Sequence, residues 1–360
     1  MGKKLSGFRP DIAVPPGETL HEILTSLGMS QIELSKRIGL TPKTITGIIS
    51  GKAPITAETA LKLESILGTP ASFWNNLEAN YQETKARLTE EQEIKREFTI
   101  LKHIPYNAIA DLGYVQRVSD ASGKVEELRA FYSVASLNYI PETQPCAFRI
   151  EGKSNASPYA LAAWLRIGEI KAKEIKVQNF DAGKLKSIIP NIRKLTLEPT
   201  NTAQKRLTDL CASCGIALAV VPHLPNTYIY GSARWLTPFK AIIQLSIRRA
   251  YADIFWFSFF HELGHILLHE KKKTFIEPIN GSAGQAAVLE KQADTFAAKS
   301  LIPPAKYREF KNRGDITREE IVRFAKTIPV HPCVVVGRLQ HEGVIKHSEY
   351  NDLRPRMKWN

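Results

Sequence analysis

The sequence predicts an α+β protein: an all-α helix-turn-helix domain, a mainly helical region behind it, and a core in which a small sheet lies against a pair of helices. Three observations predict this. Two short capped helices meet across a glycine between Ser30 and Ile49, strand-like aliphatic runs begin only at Ile216, and Phe260-His261-Glu262-Leu263-Gly264-His265 sits inside the apolar segment Ile254 to Leu268. The implied division is 1–88 for the first domain, 89–198 for a connecting helix and helical subdomain, and 199–360 for the last.

At 360 residues, 43% hydrophobic, the chain can build two or three cores. No apolar run approaches the roughly 20 residues of a membrane span. Met1 to Pro10 lacks the apolar centre and cleavage site of a signal peptide, so a cytoplasmic protein without membrane contact is expected. Four cysteines do not make a disulfide framework; Cys211 and Cys214 have C-x-x-C spacing but no matching second pair, and Cys146 and Cys333 are distant. The net charge of +13 suggests a polyanionic partner. Residues 1–90 are nearly balanced, however, with ten Lys+Arg against nine Asp+Glu.

In chain order, residues 1–16 read as an irregular arm, and Leu20, Ile23, Leu24 and Leu27 mark a first helix from Gly17 to Leu27. Ser30-Gln31-Ile32-Glu33 is a capping box opening a short helix that ends near Gly39. Thr41-Pro42 repeats the start signal for a third helix to Ile49. From Leu34 to Ala57 there are four basic residues and no acidic one, a footprint for phosphate. The second helix of such a unit enters the major groove, so Thr41, Lys43, Thr44 and Thr46 are the candidate readers of base edges and Gln31 a phosphate contact. A protein-binding helical bundle is the alternative. Motif geometry also implies a homodimer on two half-sites of an operator in double-stranded DNA.

Lys85 to Lys102 carries both charge signs densely and reads as a solvent-facing connecting helix. His103 to Glu198 is mainly helical, with Trp164 a core residue. Ile216 to Pro222, Tyr228 to Leu236 and Ala241 to Ile247 are the strand candidates, enough for a small sheet laid against the apolar segment Ile254 to Leu268. Arg234 or Tyr230 could stabilise an oxyanion from this sheet, with strand bracing as the alternative for Arg234. Thr317-Arg318-Glu319-Glu320 caps a helix to about Lys326, after which His331-Pro332 breaks the pattern.

The chemistry rests on two helices. Histidines four apart stack on one helix face, so His261 and His265 can reach a single metal. Glu262 between them is a spare carboxylate, suited to take a proton from a polarised water and deliver it to a leaving amine. Gln285 to Leu301 forms a second helix with Glu290 and Asp294 on one face. Glu290 then completes an open zinc site, and Asp294 accepts a hydrogen bond that fixes the tautomer of one ligating histidine. On a continuing helix His269 would lie roughly 6 Å beyond His265, too far to share the ion.

HELGHILLHE followed by LEKQADTFAAKSLIPP resembles the ImmA/IrrE family of zinc metallo-endopeptidases, and so do Gly231 to Leu236 and Val336 to Gln340. The resemblance implies Zn2+ held by His261, His265 and Glu290, with Glu262 as catalytic base. Residues 12–88, including Phe73 to Tyr81, resemble the Cro/CI-type domain of HigA-like antitoxins. Together these imply a DNA-binding regulator fused to a peptidase whose substrate is a repressor or antitoxin. The alternative they leave is an antitoxin and autorepressor of a toxin-antitoxin module, with a toxin partner and a non-catalytic or sensory peptidase fold.

Overall fold

The computed structural model describes residues 10–144, 157–246, 251–271, 275–278, 285–312, 314 and 316–357. They fall into two compact units, Met1–Phe98 and Thr99–Asn360. Cys146 and residue 247 of the third strand candidate lie outside the described residues.

The first unit is all helical: α1 (Pro16–Ser26), α2 (Gln31–Ile38), α3 (Pro42–Ile49), α4 (Ala57–Leu67) and α5 (Ala71–Arg96). The caps form as the sequence dictates. Ser30 accepts from the Glu33 amide, Thr41 from Thr44 and Thr56 from Thr59, each satisfying an amide that the first helical turn would otherwise leave open. Leu20, Leu24, Leu34, Ile38, Ile45 and Ile48 close around Trp74 as the core. The charged stretch from Lys85 does not start a new helix. It continues α5, because no Gly or Pro interrupts Ala71–Arg96.

In the second unit the principal helices before the sheet are α6 (Tyr106–Asp111), α7 (Ala121–Tyr132), α8 (Pro158–Glu174), α9 (Ala182–Lys194) and α10 (Thr200–Ser213). The sheet contains β1 (Ile216–Val220), β2 (Ile229–Thr237), β3 (Lys240–Leu245) and β4 (Phe275–Pro278) in the order β1-β3-β2-β4. β1 runs parallel to β3, while β2 is antiparallel to both its neighbours. β4 was not expected; four residues are too few to show a period of two.

Alternation along the strands sends Ile216, Leu218, Ala233 and Ile243 into the main core, with Phe259, Phe260 and Leu263 of α11 (Ala252–Leu268). Ala217, Ala219 and Ile242 point to the opposite face, against Ala172 of α8. α12 (Gln285–Leu301) packs along α11. Gly264 makes that approach possible, since a Cβ there would stand 3.2 Å from the Ala293 Cα. The chain continues through α13 (Pro304–Lys311), α14 (Arg318–Thr327) and α15 (Pro332–His341).

His331-Pro332 does not end the helical pattern. His331 is an N-cap whose side chain accepts from Cys333 N, and Pro332 occupies the first helical position, where its missing N–H costs little. Cys211, Cys214 and Cys333 are buried thiols, and burial pushes those of Cys211 and Cys333 up. Among the described residues no helix is long and apolar enough to cross a membrane.

Candidate functional site

α11 is apolar on nearly every side because the sheet, α12 and α15 all pack on it, and His261, Glu262 and His265 are each buried within it. Facing side chains from α12 complete the cluster. His261 Nε2 lies 3.0 Å from Glu290 Oε2 and 3.0 Å from His265 Nε2, and the His265 and Glu290 atoms are 3.5 Å apart. A metal-ligating atom from each of the three side chains lies within 4.8 Å of the others. Two imidazoles and a carboxylate converging in this way are a donor set that fits a divalent metal with an open position.

Electrostatics favour the ionised carboxylate of Glu290. Burial pushes the Glu290 carboxyl up, but hydrogen bonds and charge from His261 and His265 outweigh it and hold the group down at about 2. Burial lowers His265, although the Glu290 hydrogen bond opposes that effect. The imidazoles are oriented from behind. His261 Nδ1 is 2.9 Å from Asp294 Oδ1, which leaves Nε2 for the cluster.

The Glu262 carboxylate lies against β2. An added Cβ on Gly231 would lie 2.4 Å from Glu262 Oε1, so the carboxylate rests against bare backbone. That role of Gly231 was not expected from the residues around it. A glycine inside a strand pattern is the available signal, since it marks a close approach.

Two expectations need correction. α11 ends at Leu268, and His269 follows in extended conformation rather than on a continuing helix. Its Nδ1 lies 2.9 Å from His265 Nδ1 and its Nε2 3.0 Å from Gln292 Oε1, so it contacts a ring of the cluster directly. Arg234 is no oxyanion group: it is buried, and one guanidinium nitrogen bonds both the Leu165 carbonyl of α8 and, at 3.3 Å, Gln244 Oε1. Alternation puts Arg234 on the sheet face opposite Gly231, so it braces the sheet against α8. Tyr230, by contrast, lines the same cavity as His261 and Glu290.

In the first unit, Lys43 and Thr46 are exposed on α3 and Thr41 at its N-cap, with Thr44 half-buried. The Thr41 and Thr44 hydroxyls are 2.9 Å apart, and Thr46 donates to Gln31 Oε1 at 3.2 Å, tying α3 to the start of α2. The five residues therefore share one end of the α2–α3 unit.

Residues 20–74 match the helix-turn-helix family, and residues 242–339 match the IrrE N-terminal-like domain, a peptidase family. An uncharacterized HTH-type transcriptional regulator, YddM of Escherichia coli (strain K12), is 31% identical over 74 residues, which are 21% of this chain and 79% of that protein. Virulence-associated protein I of Dichelobacter nodosus is 37% identical over 70 residues, 19% of this chain and 65% of that protein. Among solved structures, an addiction module antidote protein of a HigA family from Coxiella burnetii is 36% identical, covering 24% of this chain and 94% of its own at a TM-score of 0.22. Pseudomonas aeruginosa antitoxin HigA, solved with the higBA promoter, is 28% identical over 24% of this chain and 95% of its own, with a TM-score of 0.23. With its capped α2–α3 pair in one unit and its His-Glu cluster in the other, the chain belongs to the HTH-type transcriptional regulators and joins that module to an IrrE N-terminal-like domain.

Proposed function

We propose that this chain is a cytoplasmic, DNA-binding transcriptional regulator whose second unit is a zinc-dependent endopeptidase acting on a regulatory protein such as a repressor or antitoxin. The observation that carries the peptidase reading is the convergence of His261 Nε2, His265 Nε2 and Glu290 Oε2 beside a buried Glu262 that belongs to the same helix but not to the cluster. His261, His265 and Glu290 would hold Zn2+, which when bound supplies Lewis acidity to a peptide carbonyl and to water.

The remaining work falls to the chain. Glu262 accepts the proton of the attacking water and returns it to the departing amine. Asp294 keeps the His261 lone pair on Nε2, and Tyr230 offers a hydroxyl at the cavity wall. Both imidazoles are buried, and the lower local dielectric strengthens each of these interactions.

The regulator reading rests on α2 and α3. Thr41, Lys43, Thr44 and Thr46 would face base edges in the major groove, with Gln31 on a phosphate and two copies of the chain bound to two half-sites.

The test is a comparison of new protein N-termini in cells carrying the wild-type chain or Glu262→Gln, with the zinc content of both purified proteins measured alongside. Products that appear only with the wild type establish the peptidase and name its substrate. Stoichiometric zinc in both proteins without any Glu262-dependent product overturns the endopeptidase reading and leaves an antitoxin-like autorepressor.

A further inference from the structure

The net charge of +13 is spread unevenly, and the helix-turn-helix does not hold it. Ten of the 49 Lys+Arg and nine of the 36 Asp+Glu lie in residues 1–90, so residues 91–360 carry the other 39 and 27, a net +12. One helix stands out in that remainder. From Ala182 to Leu197, which is α9 and the single turn behind it, there are four basic residues, Lys184, Lys186, Arg193 and Lys194, and no acidic one. Leu185 and Ile192 belong to the main core, so the opposite side of α9 faces solvent. Lys186 and Arg193, seven positions apart, come round to nearly the same line of the helix, roughly 10 Å apart along its axis, with Lys194 beside them. Both lysines are exposed and Arg193 is half-buried.

On other helices a cation is matched by a glutamate one turn away: Arg37 by Glu33 in α2, Lys62 by Glu58 in α4, Arg87 by Glu83 and Arg96 by Glu93 in α5, Arg323 by Glu320 in α14. α9 has no such pairing. Asp181, its N-cap, is occupied by the Lys184 amide, and Glu198 beyond its far end is held by Arg206. Of the four cations only Lys184 is used within the fold, its Nζ donating to the Ser213 carbonyl at 2.8 Å. Among the described residues no carboxylate pairs with Lys186, Arg193 or Lys194, and Arg193 Nε is buried without a hydrogen-bond partner. Like charges gathered within two turns repel one another in the free chain. A polyanion relieves that repulsion and gains further from the counterions it releases.

We propose that the solvent face of α9 is a second DNA contact, through which the second unit binds the phosphate backbone of a duplex without reading its bases. The inference rests on the DNA-binding reading of the first unit and adds a surface to it. Charge complementarity selects a polyanion, and duplex DNA is the polyanion that α2 and α3 of this same chain would engage. Once they are bound, α9 is tethered near the duplex, and a contact too weak to act alone becomes an intramolecular step. Lys186 and Lys194 are compact charges on flexible stems, which suit phosphates rather than the fixed donor and acceptor pattern of base edges. Sequence preference therefore stays with α3, while α9 adds affinity that falls with salt.

The test uses the full-length protein and two duplexes of equal length, an operator selected from a random pool and a shuffled version of it. Lys186→Gln/Lys194→Gln is expected to reduce the slope of log K against log salt by about 2 per bound chain on both duplexes, with the ratio of operator to shuffled affinity unchanged. Lys186→Arg/Lys194→Arg keeps the charge and should keep the wild-type slope. Lys299→Gln/Lys326→Gln removes the same two charges from exposed positions of α12 and α14, and should also leave the slope at its wild-type value. An unchanged slope in Lys186→Gln/Lys194→Gln overturns the surface and assigns α9 to an acidic protein instead. An equal fall in the α12 and α14 control overturns it too, because net charge alone would then explain the effect. Wild-type protein that binds neither duplex fails the DNA reading of the first unit itself, a result distinct from a wild-type slope that the α9 variant does not alter.

Discussion

The Nδ1 atoms of His265 and His269 lie 2.9 Å apart, and His269 Nε2 lies 3.0 Å from Gln292 Oε1. These contacts fix two tautomers at once. The amide oxygen of Gln292 can only accept, so His269 donates from Nε2 and accepts at Nδ1. His265 then donates from Nδ1 and keeps its lone pair on Nε2, the atom turned toward His261 and Glu290. His261 reaches the same state through a carboxylate, Asp294.

Loss of this relay should weaken the metal more than the fold. His269→Ala is expected to lower zinc affinity by about 10–100-fold, the usual effect of removing a hydrogen-bond partner behind a ligating histidine. His269→Gln, whose side-chain oxygen can accept from His265, should recover part of that loss. Chelator competition measures both, and an unchanged affinity in His269→Ala would show that His265 is oriented by packing alone.

Gly231 makes a sharper demand. A methyl group there would sit 2.4 Å from Glu262 Oε1 and 2.9 Å from its Cγ, so Gly231→Ala must displace the carboxylate or the strand. The cluster itself does not touch Gly231. Gly231→Ala should therefore keep zinc while losing at least about 100-fold in Glu262-dependent cleavage, the scale of a positioned acid-base group.

How much of this was legible in the sequence depends on the range of the interaction. Caps and helix starts are local: Ser30, Thr41 and Thr317 each accept from the amide three residues on, as their spacing predicts. The convergence of His261, His265 and Glu290 was legible because the four-residue spacing on α11 and the carboxylate face of α12 are each periodic within one helix. The direction of Arg234 was not, since it depends on which sheet face α8 covers, and Leu165 lies 69 positions away. Nor was the state of His269, because nothing in HILLHE says that the helix ends one residue before it. His331 misled for a related reason: histidine and proline together read as a break, while in place they cap and begin α15.

Arg234 gives a separable prediction. Bracing predicts that Arg234→Leu lowers stability by about 1–3 kcal/mol, through the buried carbonyl and amide oxygens it leaves behind, with zinc content unchanged. Thermal unfolding of the zinc-loaded protein measures it. Unaltered stability combined with lost cleavage would return Arg234 to the reaction.

Acid should loosen the metal-free second unit in two stages. His265 is held below its ordinary 6.5 in the folded chain, so on acidification the unfolded chain takes up this proton first, and stability begins to fall below about pH 6.5. Glu290 is held at about 2 against an ordinary 4.5, so its contribution is complete above 4.5 and is lost as the pH falls toward 2. Urea midpoints between pH 8 and pH 3 read both stages. Glu290→Gln should flatten the lower stage, because that variant has no carboxyl to protonate.

DNA recognition is tested at α3. Lys43 is exposed in its first turn, whereas Arg37 of α2 is paired with Glu33 at 2.5 Å. Lys43 is assigned to a base edge and its charge also displaces counterions from the groove, so Lys43→Ala should relax preference at one base position and reduce the slope of log K against log salt by about 1. Thr44→Ala removes a hydroxyl without charge, so it should leave that slope alone and relax preference at one base position of an operator selected from a random duplex pool. It also removes the partner of the Thr41 hydroxyl, but the Thr41 cap to the Thr44 amide survives, and the helix should keep its start. A salt slope unaffected by Lys43→Ala would move the DNA-facing surface away from this end of α3, and a slope near zero in the wild type would make the first unit a protein-binding module.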